Sequence, residues 1–69
     1  MSQLRMLVPG MTCDHCVAAV DEELRKISGV RAVAIDLESK LVVVQGDDLT
    51  FDQAEQAIEE AGYEAIEVS

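Results

Sequence analysis

The spacing of apolar residues predicts a first strand and a first helix. From Gln3 to Val8, apolar and polar positions alternate weakly, as in a β-strand, and Pro9-Gly10 ends the pattern. After a polar stretch, apolar residues recur at helical spacing until Ser28-Gly29. The residues on this apolar face are Val17, Val20, Leu24 and Ile27. A loop is therefore expected between the strand and the helix.

A hairpin is predicted next. Val30 to Leu37 alternates and is rich in β-branched residues, and Leu41 to Val44 is a second apolar run. The polar break Glu38-Ser39-Lys40 separates the two runs, and Gly46-Asp47-Asp48 is expected to leave the sheet.

A second helix and a last strand complete the pattern. Thr50 and Gln53 have the spacing of a capping box, so the helix is predicted to begin there. Gly62 stands where a left-handed cap would end it, and Tyr63 to Val68 is predicted to be a strand. Gly10, like Gly62, is expected at a turn with unusual backbone angles. The buried helix face is predicted to be Phe51, Ala54, Ile58 and Ala61.

The order of elements is β-α-β-β-α-β. It indicates an α+β fold of the ferredoxin-like type, in which a four-stranded antiparallel sheet carries two helices on one face. No linker or repeat interrupts the 69 residues, so we expect a single domain over 1–69. This architecture hosts many unrelated activities, and function has to be argued from a site.

Charge and hydropathy exclude several partners. Five basic residues against fourteen acidic ones give a net charge of −9, which disfavours nucleic acid and anionic lipid. No apolar run approaches the roughly 20 residues that span a bilayer, so direct membrane insertion is not expected. The N-terminus lacks the features of a secretory signal, and we expect a cytoplasmic protein.

The candidate chemistry lies in Cys13-Asp14-His15-Cys16. Two cysteines three positions apart make a poor structural crosslink, whereas one in the loop and one at the helix start can converge on a point. The positive end of the helix would favour thiolates there. Two soft thiolates suit an ion of low coordination number, such as Cu(I), better than Zn(II), which takes four ligands in closed sites.

The stretch Gly10-Met11-Thr12-Cys13-Asp14-His15-Cys16 resembles the GMTCxxC signature of heavy-metal-associated domains, and Ala57 to Tyr63 is similar to the family's closing motif. The resemblance covers the whole chain, and its length is similar to that of bacterial copper chaperones. It implies Cu(I) held by Cys13 and Cys16. It also implies delivery to a P-type copper ATPase or to the N-terminal metal-binding domain of one.

Four further residues are candidates for modulating this site. Met11 offers a thioether but is expected to pack in the core. His15 could add an imidazole ligand or tune the site by protonation, and we expect it to point into solvent instead. Asp14 is expected to interact only with the helix dipole. Tyr63 could shield the metal or hydrogen-bond near a thiolate, or simply cover the core.

Several alternatives stay open at this stage. The motif does not separate Cu(I) from Hg(II), Zn(II) or Cd(II), nor a free carrier from an excised domain. A thiol–disulfide oxidoreductase with Cys13 as nucleophile is disfavoured, because the chain is short for a thioredoxin-like domain and Gly-Pro is missing between the cysteines. We therefore expect a carrier and not an enzyme. It would be a monomer without metal and able to form a metal-bridged dimer.

Overall fold

Four antiparallel strands form one sheet, and two helices pack on it, which confirms the predicted ferredoxin-like fold. The computed structural model describes residues 2–68. Its elements are β1 (Ser2–Leu7), α1 (Asp14–Arg25), β2 (Val30–Asp36), β3 (Leu41–Gly46), α2 (Phe51–Glu60) and β4 (Ile66–Glu67). The strand order across the sheet is β2-β3-β1-β4, so the first strand lies in the interior of the sheet.

The strand register places one set of alternating residues under the helices. Met6 of β1 pairs with Val42 of β3, Leu4 pairs with Val44, and Met6, Val42 and Val44 have no exposed surface. The helices contribute the buried residues Val20, Leu24, Ala54, Ala57 and Ile58 to the same cluster. Each fully buried side chain of this size stabilises the fold by about 1.5–3 kcal/mol relative to an exposed one. This layer holds β1 and α1, the two elements that flank the cysteine loop.

The second helix begins and ends as its sequence predicts. The Thr50 hydroxyl accepts a hydrogen bond from the backbone N–H of Gln53 at 3.3 Å, and the Gln53 side chain accepts one from the backbone N–H of Thr50 at 3.2 Å. Gly62 follows the helix with a φ of +94°, and its N–H donates to the Glu59 carbonyl. The capping box and the glycine cap are both confirmed.

The predicted ends of α1 and β3 were wrong. Helix α1 ends at Arg25, before Ser28-Gly29, because the Ile27 N–H donates to the Leu24 carbonyl at 3.1 Å and tight turns replace the helix. Gly46 stays in β3 and pairs with Ser2.

The last strand is shorter than Tyr63 to Val68. Regular pairing is confined to Ile66–Glu67, which lies against β1. The Tyr63 N–H donates to the Ile58 carbonyl at 3.0 Å, and Ala65 is buried. The residues after α2 therefore close the helix and enter the core before the chain can pair with β1.

Within residues 2–68, no helix has both the length and the apolar character that crossing a membrane requires.

Gly46, at the end of β3, packs closely against Gly29, in the turn between α1 and β2. The Asp47 N–H donates to the Gly29 carbonyl at 2.9 Å, and a Cβ added to Gly46 would overlap that carbonyl oxygen. We predict that Gly46→Ala lowers the free energy of unfolding by about 3 kcal/mol, the upper end of the usual cost of overpacking. Urea denaturation measures this loss.

Gly62→Ala is the matched control for that substitution. Nothing lies within 4 Å of a Cβ added at Gly62, so only its positive φ opposes alanine, at about 1 kcal/mol. Equal losses in the two variants would contradict the steric explanation for Gly46.

Candidate metal site

Buried side chains on both sides anchor the loop between β1 and α1. Val8 and Met11 have no exposed surface, and the Met11 N–H donates to the Val8 carbonyl at 3.1 Å. The Val8 N–H donates in turn to the Lys40 carbonyl at 2.9 Å. The structure thus places the Met11 side chain in the core, as predicted. Its burial fixes the loop that presents the cysteine thiols.

Cys13 and Cys16 converge at the start of α1. Cys13 is the N-cap residue, with an extended backbone (φ −155°, ψ 173°) and no capping hydrogen bond from its side chain. Its carbonyl accepts the N–H groups of Cys16 and Val17 at 3.1 and 3.2 Å. The two Sγ atoms lie 3.5 Å apart and both cysteines are free thiols. A thiol caps a helix poorly, so the Cys13 side chain stays available for other chemistry.

The two thiols differ in exposure and surroundings. Cys13 is exposed and Cys16 is half-buried. The backbone N–H of Thr12, the Tyr63 hydroxyl and the Cys13 thiol all favour the Cys16 thiolate and lower the pKa of Cys16 from 9.0 to about 6. The Cys13 backbone N–H acts in the same direction, and burial opposes it. Cys16 is therefore mainly a thiolate at pH 7.

The sequence identified Tyr63 as a possible hydrogen-bond partner of a thiolate, but it did not predict the strongest donor to Cys16. Positive charge was expected from the helix end, whereas the largest effect comes from the N–H of Thr12 in the loop. Nothing in a side-chain pattern identifies a backbone donor such as the Thr12 N–H.

Tyr63 lies beside the cysteine pair. It is half-buried and follows the glycine cap of α2. Its hydroxyl is directed toward the Cys16 sulfur. The geometry of this contact falls short of a standard hydrogen bond. The same contact raises the pKa of Tyr63, with burial and the nearby sulfur charges adding to it. Tyr63 also packs against the hydrophobic core, so the structure shows both the contact beside the thiolate and the cover over the core.

His15 and Asp14 do not join the pair. Both are exposed in the first turn of α1. Among residues 2–68 there is no group of three or more His, Cys, Asp or Glu side chains placed to hold a metal ion. The chain thus presents two sulfurs at the N-terminal end of α1. An N–H and an O–H donor lie on the Cys16 side.

Comparison with known proteins fits this geometry. The family model of the heavy-metal-associated domain matches residues 5–64. The chain belongs to the heavy-metal-associated domain family. Copper chaperone CopZ of Staphylococcus aureus is 41% identical over 68 residues, a match that covers 96% of this chain and all of that protein.

Solved heavy-metal-associated structures share the fold. A CopZ metallochaperone superposes with a TM-score of 0.88 at 40% identity, covering 94% of this chain and 100% of the other. A copper binding domain from HMA7, a P-type ATPase, gives 0.93 at 28% identity, covering 100% of this chain and 96% of that domain. The curated relatives are named chaperones, which confirms the expectation that this chain is not an enzyme.

The pKa of Cys16 generates a prediction for the reduced, metal-free protein. Alkylation of Cys16 by iodoacetamide should rise with pH to a plateau with a midpoint near pH 6, because only the thiolate reacts. Tyr63→Phe removes a donor to that thiolate and should move the midpoint upward. Peptide mass spectrometry after timed labelling measures both profiles.

Cys16→Ser identifies the low-pH phase, since it should abolish that phase and leave labelling of Cys13. A Cys16 midpoint near the ordinary thiol value, unchanged in Tyr63→Phe, would contradict the arrangement of donors.

Proposed function

We propose that the chain is a metallochaperone in which Cys13 and Cys16 bind one Cu(I) as thiolates. It delivers the ion to a P-type copper ATPase, at that protein's N-terminal metal-binding domain. In this proposal residues 1–69 act as a single heavy-metal-associated domain in the cytoplasm. The observation that carries the proposal is the convergence of two free thiols, with Sγ atoms 3.5 Å apart, at the N-terminal end of α1.

The donor set supports Cu(I) over harder or more highly coordinated ions. Thiolates are soft ligands, and Cu(I) is a soft ion, whereas a closed structural Zn(II) site takes four ligands. Two thiolates around a monovalent ion carry a net charge of −1. The Thr12 N–H and the Tyr63 hydroxyl, which already favour a thiolate at Cys16, would stabilise that charge.

Metal binding requires the sulfurs to separate. A metal–thiolate bond is about 2.3 Å long in zinc sites, so two sulfurs on opposite sides of an ion stand about 4.6 Å apart. They are 3.5 Å apart in this structure. Cys13 is exposed and makes no capping bond, so a change of its side-chain rotamer can supply the extra separation.

Delivery proceeds by ligand exchange in this proposal. A partner thiolate forms a new sulfur–copper bond, giving a three-sulfur intermediate, and one chaperone sulfur–copper bond then breaks. The released cysteine takes up a proton equivalent to the one that the partner's thiol lost on becoming a thiolate. A second partner thiolate then displaces the other cysteine in the same way, and copper stays Cu(I) throughout. The exposed Cys13 side is the open approach. A second copy of the chain can donate its sulfur in the same way, so we propose a metal-bridged dimer beside an apo monomer.

The likeness to an ATPase domain supports the choice of partner. A copper binding domain of a P-type ATPase shares this fold with a TM-score of 0.93. Two sites of matching architecture can exchange an ion with little change in coordination. The net charge of −9 favours a partner surface with basic residues, since complementary charge speeds encounter.

A competition titration tests the binding step. The reduced protein should bind one Cu(I) per chain in preference to Zn(II). Cys13→Ser and Cys16→Ser should each weaken binding by more than about 100-fold, because loss of even an outer-shell partner costs 10- to 100-fold. His15→Ala is the matched neighbour and should bind as the parent does. Chelators of known affinity provide the measurement.

Other results of that titration would favour the alternatives. Preference for Zn(II), or marked dependence on His15, would indicate a three-ligand site. Tighter binding of Hg(II) than of Cu(I) at physiological competition would favour a mercury carrier and contradict the copper assignment.

A transfer assay tests delivery. The Cu(I)-loaded protein is mixed with the N-terminal metal-binding domain of a P-type copper ATPase, and copper is measured in each protein after separation. Transfer should be fast and should persist when a chelator traps any free ion, because the metal passes directly between sulfurs. Cys13→Ala should pass no measurable copper, while His15→Ala should match the parent. Equal rates for Cys13→Ala and the parent would contradict the exchange mechanism.

A further inference from the structure

The φ angle of Gly10, in the loop between β1 and α1, does not require a glycine. Gly29 and Gly62 have φ values of +96° and +94°, in the region that favours glycine, whereas the φ of Gly10 lies outside that region. The expectation that Gly10 takes unusual left-handed angles was therefore wrong. Alanine could adopt the same backbone conformation, so some other constraint must account for a glycine there.

The side chain of Tyr63 supplies that constraint. A Cβ added to Gly10 would lie 3.1 Å from Cδ1 of Tyr63 and 3.9 Å from Cε1. Ordinary carbon–carbon contacts are about 3.5–4.0 Å. One edge of the ring therefore occupies the space in which a side chain at position 10 would stand. Apart from the chain neighbours of Gly10, no other residue within 2–68 comes within 4 Å of that added Cβ.

The same ring reaches the cysteine pair. Its backbone is fixed by the hydrogen bond from the Tyr63 N–H to the Ile58 carbonyl at 3.0 Å, and its hydroxyl lies toward Cys16. The ring therefore lies against Gly10, and its hydroxyl is near enough to Cys16 to lower the pKa of that thiol. Thr12, Cys13 and His15, by contrast, are exposed. The site has one side covered by an aromatic ring and one side open.

We propose that Gly10 is a positioning residue whose missing side chain lets the Tyr63 ring lie against the loop and shield the Cys16 side of the bound metal. This inference rests on the proposed function, because it concerns how the held ion is lost. The ring excludes small competing ligands from one side and leaves the Cys13 side as the route for exchange. A methyl group at position 10 displaces the half-exposed ring and opens the covered side.

The ring position can be measured without metal. Tyr63 is the only tyrosine and the chain has no tryptophan, so intrinsic tyrosine fluorescence reports on this side chain alone. Acrylamide should quench the fluorescence of apo Gly10→Ala more strongly than that of the parent. Ser28→Ala is the control for an exposed substitution beyond the C-terminal end of α1, the end opposite Cys13, and should match the parent. Unchanged quenching in Gly10→Ala would overturn the placement of the ring.

The shielding is measured with Cu(I) and the chelator bathocuproine disulfonate. Gly10→Ala and Tyr63→Ala should each lose Cu(I) to the chelator faster than the parent, by roughly threefold to tenfold, the factor that an aromatic contact is worth. Tyr63→Phe keeps the ring but loses the hydroxyl that favours the Cys16 thiolate, so it should lose copper faster than the parent and more slowly than Tyr63→Ala. In the Tyr63→Ala background, Gly10→Ala should add nothing, because there is no ring left to displace.

The outcomes separate this inference from the proposed function. A parent that binds no Cu(I) overturns both. A parent that binds one Cu(I), with additive effects of Gly10→Ala and Tyr63→Ala or with Gly10→Ala as slow as the parent, overturns only the positioning role. Tyr63→Phe as fast as Tyr63→Ala would also overturn it, because the hydroxyl and not the ring would then protect the metal. Urea denaturation of each variant shows that the rates belong to folded protein.

Discussion

The site depends on the burial of two apolar side chains in the segment that joins β1 to α1. An irregular loop has few internal hydrogen bonds, so its shape has to be fixed from outside. Val8 and Met11 supply this by entering the core from both sides of the Pro9-Gly10 turn, with no exposed surface left on either. The two buried side chains fix the inner side of the loop, and its polar outer side is free to present the cysteines.

That anchoring gives two chemically similar residues different surroundings. Cys13 caps the helix and is exposed, whereas Cys16 lies one turn into the same element, where the Thr12 N–H and the Tyr63 hydroxyl reach it. One sulfur is held ready as a thiolate and the other is free to move. In a carrier, such asymmetry lets one ligand retain the ion while the other side is open for exchange, since only one bond has to break at a time.

The net charge of the chain and the local field of the site act in opposite directions. The surface charge of −9 would by itself disfavour additional anions such as thiolates. The Thr12 N–H and the Tyr63 hydroxyl outweigh it at Cys16 and lower the pKa of that thiol, because nearby groups are screened far less than charges spread over the surface. Local geometry therefore sets the protonation of the site, and the global charge is left to influence encounter with partners.

The sequence by itself determined the element order, the capping box of Thr50 and Gln53, and the location of the cysteine pair, because these depend on residues a few positions apart. Helix α1 and strand β4 are shorter than the sequence predicts. Their ends depend on tight turns and on contacts with a neighbouring strand or the core. Only the tertiary structure decided where the Tyr63 ring lies, because Tyr63 is distant in sequence from Gly10, beside which it packs. It also decided the reason for Gly10, where a side chain would meet that ring and where the backbone alone makes no demand.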